Sequence, residues 1–350
     1  RFDGVYMDSK VYVNDTLAGE WKYGYSAFQF DITDLIRDGE NTVRVRVDYH
    51  APNSRWYSGA GIFRKVWLCE SPELRFGNDG IYVSTSKENG SWKVTVTSEL
   101  LQKEKNSFAG IRVRQTILDR EGKVAAVCES DACAADASCV PKGARVERCR
   151  YSLTTQNITV KNPILWDIDD PYLYTLQSEI LVQGEVTQII RQHFGFLTIA
   201  YTVDHGFFLN GRHVKLHGTC EHHDSGCLGA AFSVPALRRK FRKLREMGVN
   251  AIRTSHNMPA QEMMELADET GMLILSEGFD MWERSKTDYD YARFFDEWVE
   301  RDVASWIRRD RNHPSIIGWS IGTQPQRPAP LSFWGCSREC TEFWRKAAGR

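Results

Sequence analysis

Hydrophobic and polar positions change their period as the chain is read from its start. From Arg1 to about Pro72 they alternate: V-Y-M-D-S-K-V-Y-V-N-D around Tyr12, A-F-Q-F-D-I with Phe28 and Phe30, and T-V-R-V-R-V-D with Val43, Val45 and Val47. A period of two puts alternate side chains on opposite faces of a strand, so this region predicts sheets with one buried face. Asn14-Asp15 and Asp38-Gly39 fall between the runs and suit hairpins or short loops. A second β region extends from about Gly77 to Phe196, with strands predicted at Trp92 to Ser98, Ile111 to Leu118, Leu173 to Leu181 and Gln188 to His193.

After F-G-F-L-T-I the pattern becomes strand, helix, strand, which implies parallel β-α units. The predicted strands are Val214 to Gly218, Val249 to Arg253, Met272 to Glu277 and Ile316 to Ile321. Ser233 and Pro235 open the first intervening helix, Leu237, Phe241 and Leu244 form its stripe, and Gly248 stops it. A second helix is predicted from Pro259 to Gly271, and a third carries Phe294, Phe295, Trp298, Trp306 and Ile307. The three regions divide at 1–75, 76–195 and 196–350.

Size and charge narrow the function. With 350 residues, 42% of them hydrophobic and 12% aromatic, the chain can bury several cores. Lys and Arg total 45 against 46 Asp and Glu, so no basic excess is present to neutralise phosphates, and nucleic acid is not an expected partner. No apolar run reaches the roughly 18 residues of a membrane span. Four of nine cysteines, Cys128, Cys133, Cys139 and Cys149, crowd one segment at spacings unlike paired C-x-x-C knuckles. Reduced thiols and a cytoplasmic location are the expectation, with a disulfide or a metal as the alternatives.

The chemistry concentrates where predicted barrel strands end, because parallel barrels place catalytic side chains at their C-terminal mouth. L-H-G-T-C-E-H-H-D brings His222 and His223 past the first strand, R-T-S-H-N brings Arg253 and His256 past the second, and S-E-G-F-D-M-W brings Glu277 and Asp280 past the third. The fourth strand leads from N-H-P-S-I-I-G-W-S-I-G into Thr323 and Gln324. These motifs, together with R-W-Y-S-G-A-G-I-F-R-K-V-W-L (Arg55 to Leu68) and N-P-I-L-W-D-I-D-D-P-Y-L-Y-T-L (Asn162 to Leu176), resemble glycoside hydrolase family 2, the β-galactosidase, β-glucuronidase and β-mannosidase family. The resemblance runs from Arg1 to Gln324.

The resemblance implies a jelly-roll sugar-binding β-sandwich, an immunoglobulin-like β-sandwich and a truncated (β/α)8 TIM barrel. It implies a retaining exo-β-glycosidase acting on a carbohydrate, with F-D-M-W-E and R-D-R-N-H-P-S-I closest to bacterial β-galactosidases, and β-glucuronide or β-mannoside as alternative substrates. No cofactor is expected, although Mg²⁺ or Na⁺ occurs in the family, and a homo-oligomer is compatible with it. His222 would contact sugar hydroxyls, with a metal site or a structural loop as the other readings. Arg253 and His256 would border the pocket and His256 would touch the transition state; pairing with a barrel carboxylate and helix capping are their structural alternatives. Trp319 and Trp282 could offer a ring face to the sugar or belong to the core, whereas Arg55, Trp56 and Tyr57 are assigned to packing.

The family pattern ends W-S-x-G-N-E, in which Asn binds the 2-hydroxyl and Glu is the general acid/base. Here Thr323 and Gln324 stand at those two positions. A retaining mechanism needs two carboxyl groups about 5 Å apart, and an amide has no titratable proton to give. The family nucleophile belongs to a later strand, so this chain is expected to be a vestigial or sugar-binding portion with impaired catalysis. The tail after Gln324 departs from the family at the same point, and a shifted reading frame or an early end would account for both departures. Glu277 and Asp280 are expected to organise hydrogen bonds rather than replace the acid.

Overall fold

The computed structural model describes residues 1–88, 90–103, 108–132 and 149–322. In the first region β2 (Ser9–Val13) lies between β3 (Thr16–Trp21) and β4 (Val43–Val47), while β1 (Val5–Tyr6) pairs with β5 (Gly61–Ile62). Val13 pairs with Thr16 across Asn14 and Asp15, whose φ values of 48° and 69° make the two-residue hairpin turn that matches strand twist. The strand expected over A-F-Q-F-D-I does not form. Phe28 makes a single bridge to Phe2, and beyond it Asp31 accepts from the Thr33 amide and hydroxyl, a local turn that competes with ladder pairing.

Among the described residues the second region is a seven-stranded sandwich. One sheet runs in the order β10 (Cys149–Val160), β7 (Ser91–Lys103), β6 (Leu74–Glu88); the other runs β12 (Glu185–Phe194), β11 (Tyr174–Val182), β8 (Ile111–Leu118), β9 (Val124–Asp131). Val94, Val96 and Leu100 from one sheet and Val113, Ile117, Leu176 and Ile180 from the other are fully buried in a shared core, the aligned packing expected of an immunoglobulin-like fold. Sequence periodicity missed β6, β9 and β10. In β10 the reason is visible: Ser152, Thr154 and Gln156 point inward and are buried, so the inner face is half polar. Part of the layer is hydrogen-bonded, Gln156 Nε2 to the Val113 carbonyl at 3.0 Å and Ser178 Oγ to Gln115 Oε1 at 2.5 Å, while Gln156 Oε1 is left without a partner.

A hairpin sheet, β13 (Ile199–Thr202), β14 (Gly206–Leu209) and β15 (Arg212–His213), leads into four parallel strands in sequence order: β16 (Gly218–Glu221), β17 (Ala251–Thr254), β18 (Leu273–Phe279) and β19 (Ile316–Gly322). The first barrel strand therefore starts where its predicted span, Val214 to Gly218, ends. Val214 continues the hairpin by donating to the Phe207 carbonyl and packs with Trp166, Phe207 and Leu209 beneath the barrel, which explains its apolar character. The helices α1 (Val234–Glu246), α2 (Gln261–Thr270) and α3 (Phe295–Asp310) lie within two residues of expectation, and Gly271 closes α2 in the left-handed conformation at φ 67°. Four strands of a (β/α)8 barrel are thus described.

Polar residues of R-D-R-N-H-P-S-I brace these regions instead of serving chemistry. Asn312 donates to the Ile81 carbonyl and accepts from the Val83 amide, so it fills a gap in the β6 backbone. Just upstream, Arg308 grips Glu99 with two bonds of 2.7 and 2.6 Å. The first region is joined to the barrel by Trp21 Nε1 to Ser26 Oγ at 2.7 Å, Ser26 Oγ to Asp302 at 2.5 Å, and a Tyr291 hydroxyl bond to the same carboxylate. Among the described residues no helix is long and apolar enough to cross a membrane.

Candidate active site

The register of the parallel strands assembles the site. Glu277 on β18 lies opposite Ser320 on β19, and Arg253 on β17 lies opposite Leu275. Leu273 and Ile274 are completely buried in the body of β18, and the polar side chains stand toward the C-terminal ends of the strands. The Glu277 side chain is only 1% exposed. Its Oε2 receives Arg253 Nε at 2.8 Å and Ser320 Oγ at 2.8 Å, and its Oε1 contacts Arg253 Nη2 at 3.0 Å and His256 Nδ1 at 2.6 Å. Thr254 Oγ1 takes the Glu277 amide at 2.8 Å.

A carboxylate so fully engaged has no lone pair left for a substrate proton. Glu277 is an organiser, and it holds Arg253 and His256 in one orientation. Burial by itself lowers the Arg253 pKa, but bonding and attraction to Glu277 outweigh it and raise the value, so the guanidinium is a fixed cation. Arg253 makes the expected pair with a barrel carboxylate: one edge is tied to Glu277, and Nη1 approaches Cys220 Sγ at 3.6 Å.

Above this base stand three rings. His222 and His256 are 5.4 Å apart, and Trp56 lies 4.8 Å from His222 and 5.6 Å from His256. Trp56 comes from the first region, and sequence reasoning consigned it to packing. Its neighbour Arg55 explains how it arrives: Nη2 meets Asp280 Oδ1 at 2.6 Å, and Lys286 Nζ joins the same oxygen at 2.9 Å. Burial pushes the Asp280 carboxyl up, but these two cations outweigh it and hold the pKa below the ordinary carboxylate value. The cue available in sequence was R-W-Y itself, a cation beside an aromatic pair, which alone does not say which surface it meets.

The adjacent histidines diverge. His223 turns away from the mouth to pack among Tyr25, Phe63 and Phe232, at ring distances of 5.7, 5.4 and 6.2 Å. Burial, with Arg64 and Lys240 nearby, holds its pKa well below the ordinary value, so the ring is neutral. Among the described residues no group of three or more His, Cys, Asp or Glu is placed to hold a metal ion. Trp319 packs 5.1 Å from Trp306, and Trp282 donates to the Ile321 carbonyl at 3.2 Å beside Phe295. Both belong to an aromatic cluster next to the mouth while remaining partly accessible. Thr323 and Gln324, like Cys133, Cys139 and the tail, lie outside the described residues. Cys69, Cys128, Cys220 and Cys227 are free thiols.

Comparison with known proteins agrees along the chain. The profile for Glycosyl hydrolases family 2, sugar binding domain, matches residues 1–72; Glycosyl hydrolases family 2 matches 79–196; and the family's TIM barrel domain matches 202–338. A β-galactosidase of Bacteroides ovatus is 42% identical over 93% of this chain and 37% of its own length. A β-glucuronidase of Bacteroides fragilis is 30% identical over 92% of this chain and 46% of its own. A glycosyl hydrolase family 2 structure from Bacteroides cellulosilyticus superposes with TM-score 0.85 at 34% identity, over 99% of this chain and 43% of that one. The chain thus spans less than half the length of these relatives. With three family domains in the expected order and the barrel-mouth motifs folded together, the chain belongs to glycosyl hydrolases family 2.

Proposed function

We propose that this chain forms the sugar-holding part of a retaining exo-β-glycosidase that takes terminal β-galactosides. The observation that carries the reading is the site in which Glu277 fixes Arg253 and His256 beneath the Trp56 and His222 rings. A sugar has apolar ring faces and a rim of hydroxyls, so an indole wall beside imidazole and guanidinium donors matches its chemistry. The β-galactosidase relative supports the galactoside choice, and the β-glucuronidase relative keeps a glucuronide as the competing substrate. A carboxylate-bearing sugar would meet the cationic Arg253, whose charge Glu277 already balances, and this favours the neutral galactoside.

With Gln324 at the acid/base position, this polypeptide binds the sugar without protonating the leaving group. The test compares lactose with methyl β-galactopyranoside and methyl β-glucuronide. The expected result is saturable galactoside binding that is lost in His256→Ala, with lactose left intact. Lactose turnover near the 1–10³ s⁻¹ usual for enzymes, or tighter binding of the glucuronide, would overturn the corresponding half of the proposal.

A further inference from the structure

Residues 51–60 of the first region form no helix or strand, yet they carry Trp56 to the rings of the mouth. Ladder pairing therefore does not set the direction of this indole; anchors to the barrel do. The Tyr289 amide, in the loop between β18 and α3, donates to the Pro52 carbonyl at 3.0 Å, and the Tyr289 ring stacks on His50 at 5.2 Å. On the other flank Tyr57 meets the loop after β16, where a Cβ added to Gly229 would stand 3.1 Å from its ring. Between these contacts stands a charged anchor. Arg55 Nη2 lies 2.6 Å and Nε 3.3 Å from the two oxygens of Asp280, the fork geometry of a two-bond guanidinium–carboxylate pair.

The pair is lopsided in its burial. The Asp280 side chain is 0% exposed and that of Arg55 is 49% exposed. Water can solvate such a guanidinium without help, so the bond adds little to the stability of Arg55, while the carboxylate gives up all of its hydration. What the bond supplies is direction: a planar fork held at two points fixes the residue that carries it, and Trp56 is the next residue along the chain. Lys286 Nζ shares the same oxygen at 2.9 Å and is 22% exposed. Without the carboxylate, Arg55 and Lys286 would be like charges around one point, and the more exposed Arg55 would leave for solvent. Asp280 follows Glu277 by three residues at the end of β18. One strand end thus orients both sides of the mouth: Glu277 fixes Arg253 and His256, and Asp280 fixes the mount of the ring set against them.

We propose that Asp280, acting through Arg55, is a positioning residue for Trp56 and thereby sets glycoside affinity at the mouth; the inference rests on the sugar-holding reading above. The full chain carrying ¹⁵N-labelled histidine would be titrated with methyl β-galactopyranoside, unaltered and as Asp280→Asn, Arg55→Gln and Trp56→Ala. Arg55→Gln changes a half-exposed side chain, so it carries the test should Asp280→Asn misfold. Each of these two changes should weaken binding about three- to tenfold, within the tenfold of losing one aromatic contact. Added to Trp56→Ala, either should weaken it by less than about twofold more, because residues that act through one another are not additive. A merely structural Asp280 would cost the same affinity in both backgrounds. Before any ligand is added, the His222 and His256 resonances of Arg55→Gln should move toward their positions in Trp56→Ala, since an indole 4.8 and 5.6 Å away shifts them by its ring current. Equal losses in both backgrounds, full affinity in Arg55→Gln, or unmoved histidine resonances in that variant would overturn the proposal. If the unaltered chain binds no galactoside, the sugar reading fails, while the ligand-free resonances still decide whether Arg55 and Asp280 place Trp56.

Discussion

Two clusters in the barrel share nearly the same parts. At the mouth, Glu277 receives His256 Nδ1 at 2.6 Å and Ser320 Oγ at 2.8 Å; at the opposite end, Asp268 receives His313 Nδ1 at 2.6 Å and Ser315 Oγ at 2.5 Å. Both carboxylates are buried. The difference lies in what each cluster meets. Asp268 sits on α2 and also accepts the Ser315 amide, which locks the start of β19, while its backbone carbonyl takes Trp166 Nε1 from below. Glu277 faces rings delivered by the loop after β16 and by the first region. A carboxylate, histidine and serine in contact are therefore no sign of catalysis in themselves; what separates the two clusters is position along a parallel strand and cover from the first region.

Charge removal separates the two most sharply. Glu277→Gln leaves the Arg253 guanidinium without its counterion and should cost about 1.5–3 kcal/mol of stability, the value of charged hydrogen bonds whose cationic partner is one-third exposed, together with glycoside binding. Asp268→Asn should lower the denaturation midpoint comparably but leave glycoside affinity in the folded fraction unchanged. Equal loss of affinity in both variants would erase the distinction drawn here.

Of these two clusters, the lower one should carry pH-dependent stability. Burial opposes charge on His313, but Asp268 outweighs it and raises the pKa above the ordinary value. A raised folded-state pKa means that the stabilisation is complete below about 6.5, the unfolded value, and is lost as pH rises through the folded value. His313→Gln should flatten this dependence, by no more than ~1.4 kcal/mol per pH unit; an unchanged slope in urea titrations would assign it elsewhere.

Trp56→Ala should weaken glycoside binding about tenfold, as loss of one aromatic contact does, with a smaller effect on the midpoint because the ring is only partly buried. The mildest pair is Ser320→Ala and Ser315→Ala. Each removes a hydroxyl from a carboxylate and should cost about 1.5–3 kcal/mol, seen in binding for the first and only in stability for the second.

Much of this was legible in the residues. Ile111 to Leu118 is a strand with the bounds its alternation predicted, and the stripe of Leu237 and Phe241 marked a helix because apolar spacing is a local property. That His222, Arg253 and His256 come together was foreshadowed by their places, His222 and His256 just past strand ends and Arg253 at the end of β17. The inward polar face of β10 was not legible, since its partners come from other strands, and Val214 misled because an apolar residue under a barrel looks like one inside it. Trp56 was assigned to packing, and that its packing partners are His222 and His256 was not legible because they lie in another region.

By itself the sequence determined the order of β and β-α regions and the family, because these rest on local spacing and residue type. Only the tertiary structure decided that Glu277 is consumed by Arg253 and His256, that Trp56 of the first region meets His222 and His256 at the barrel mouth, and that His222 packs against those rings while His223 packs among Tyr25, Phe63 and Phe232. Those facts depend on contacts between residues as far apart as 56 and 256, and the free energy of such a contact is set by the surroundings that folding creates rather than by the residues' own preferences.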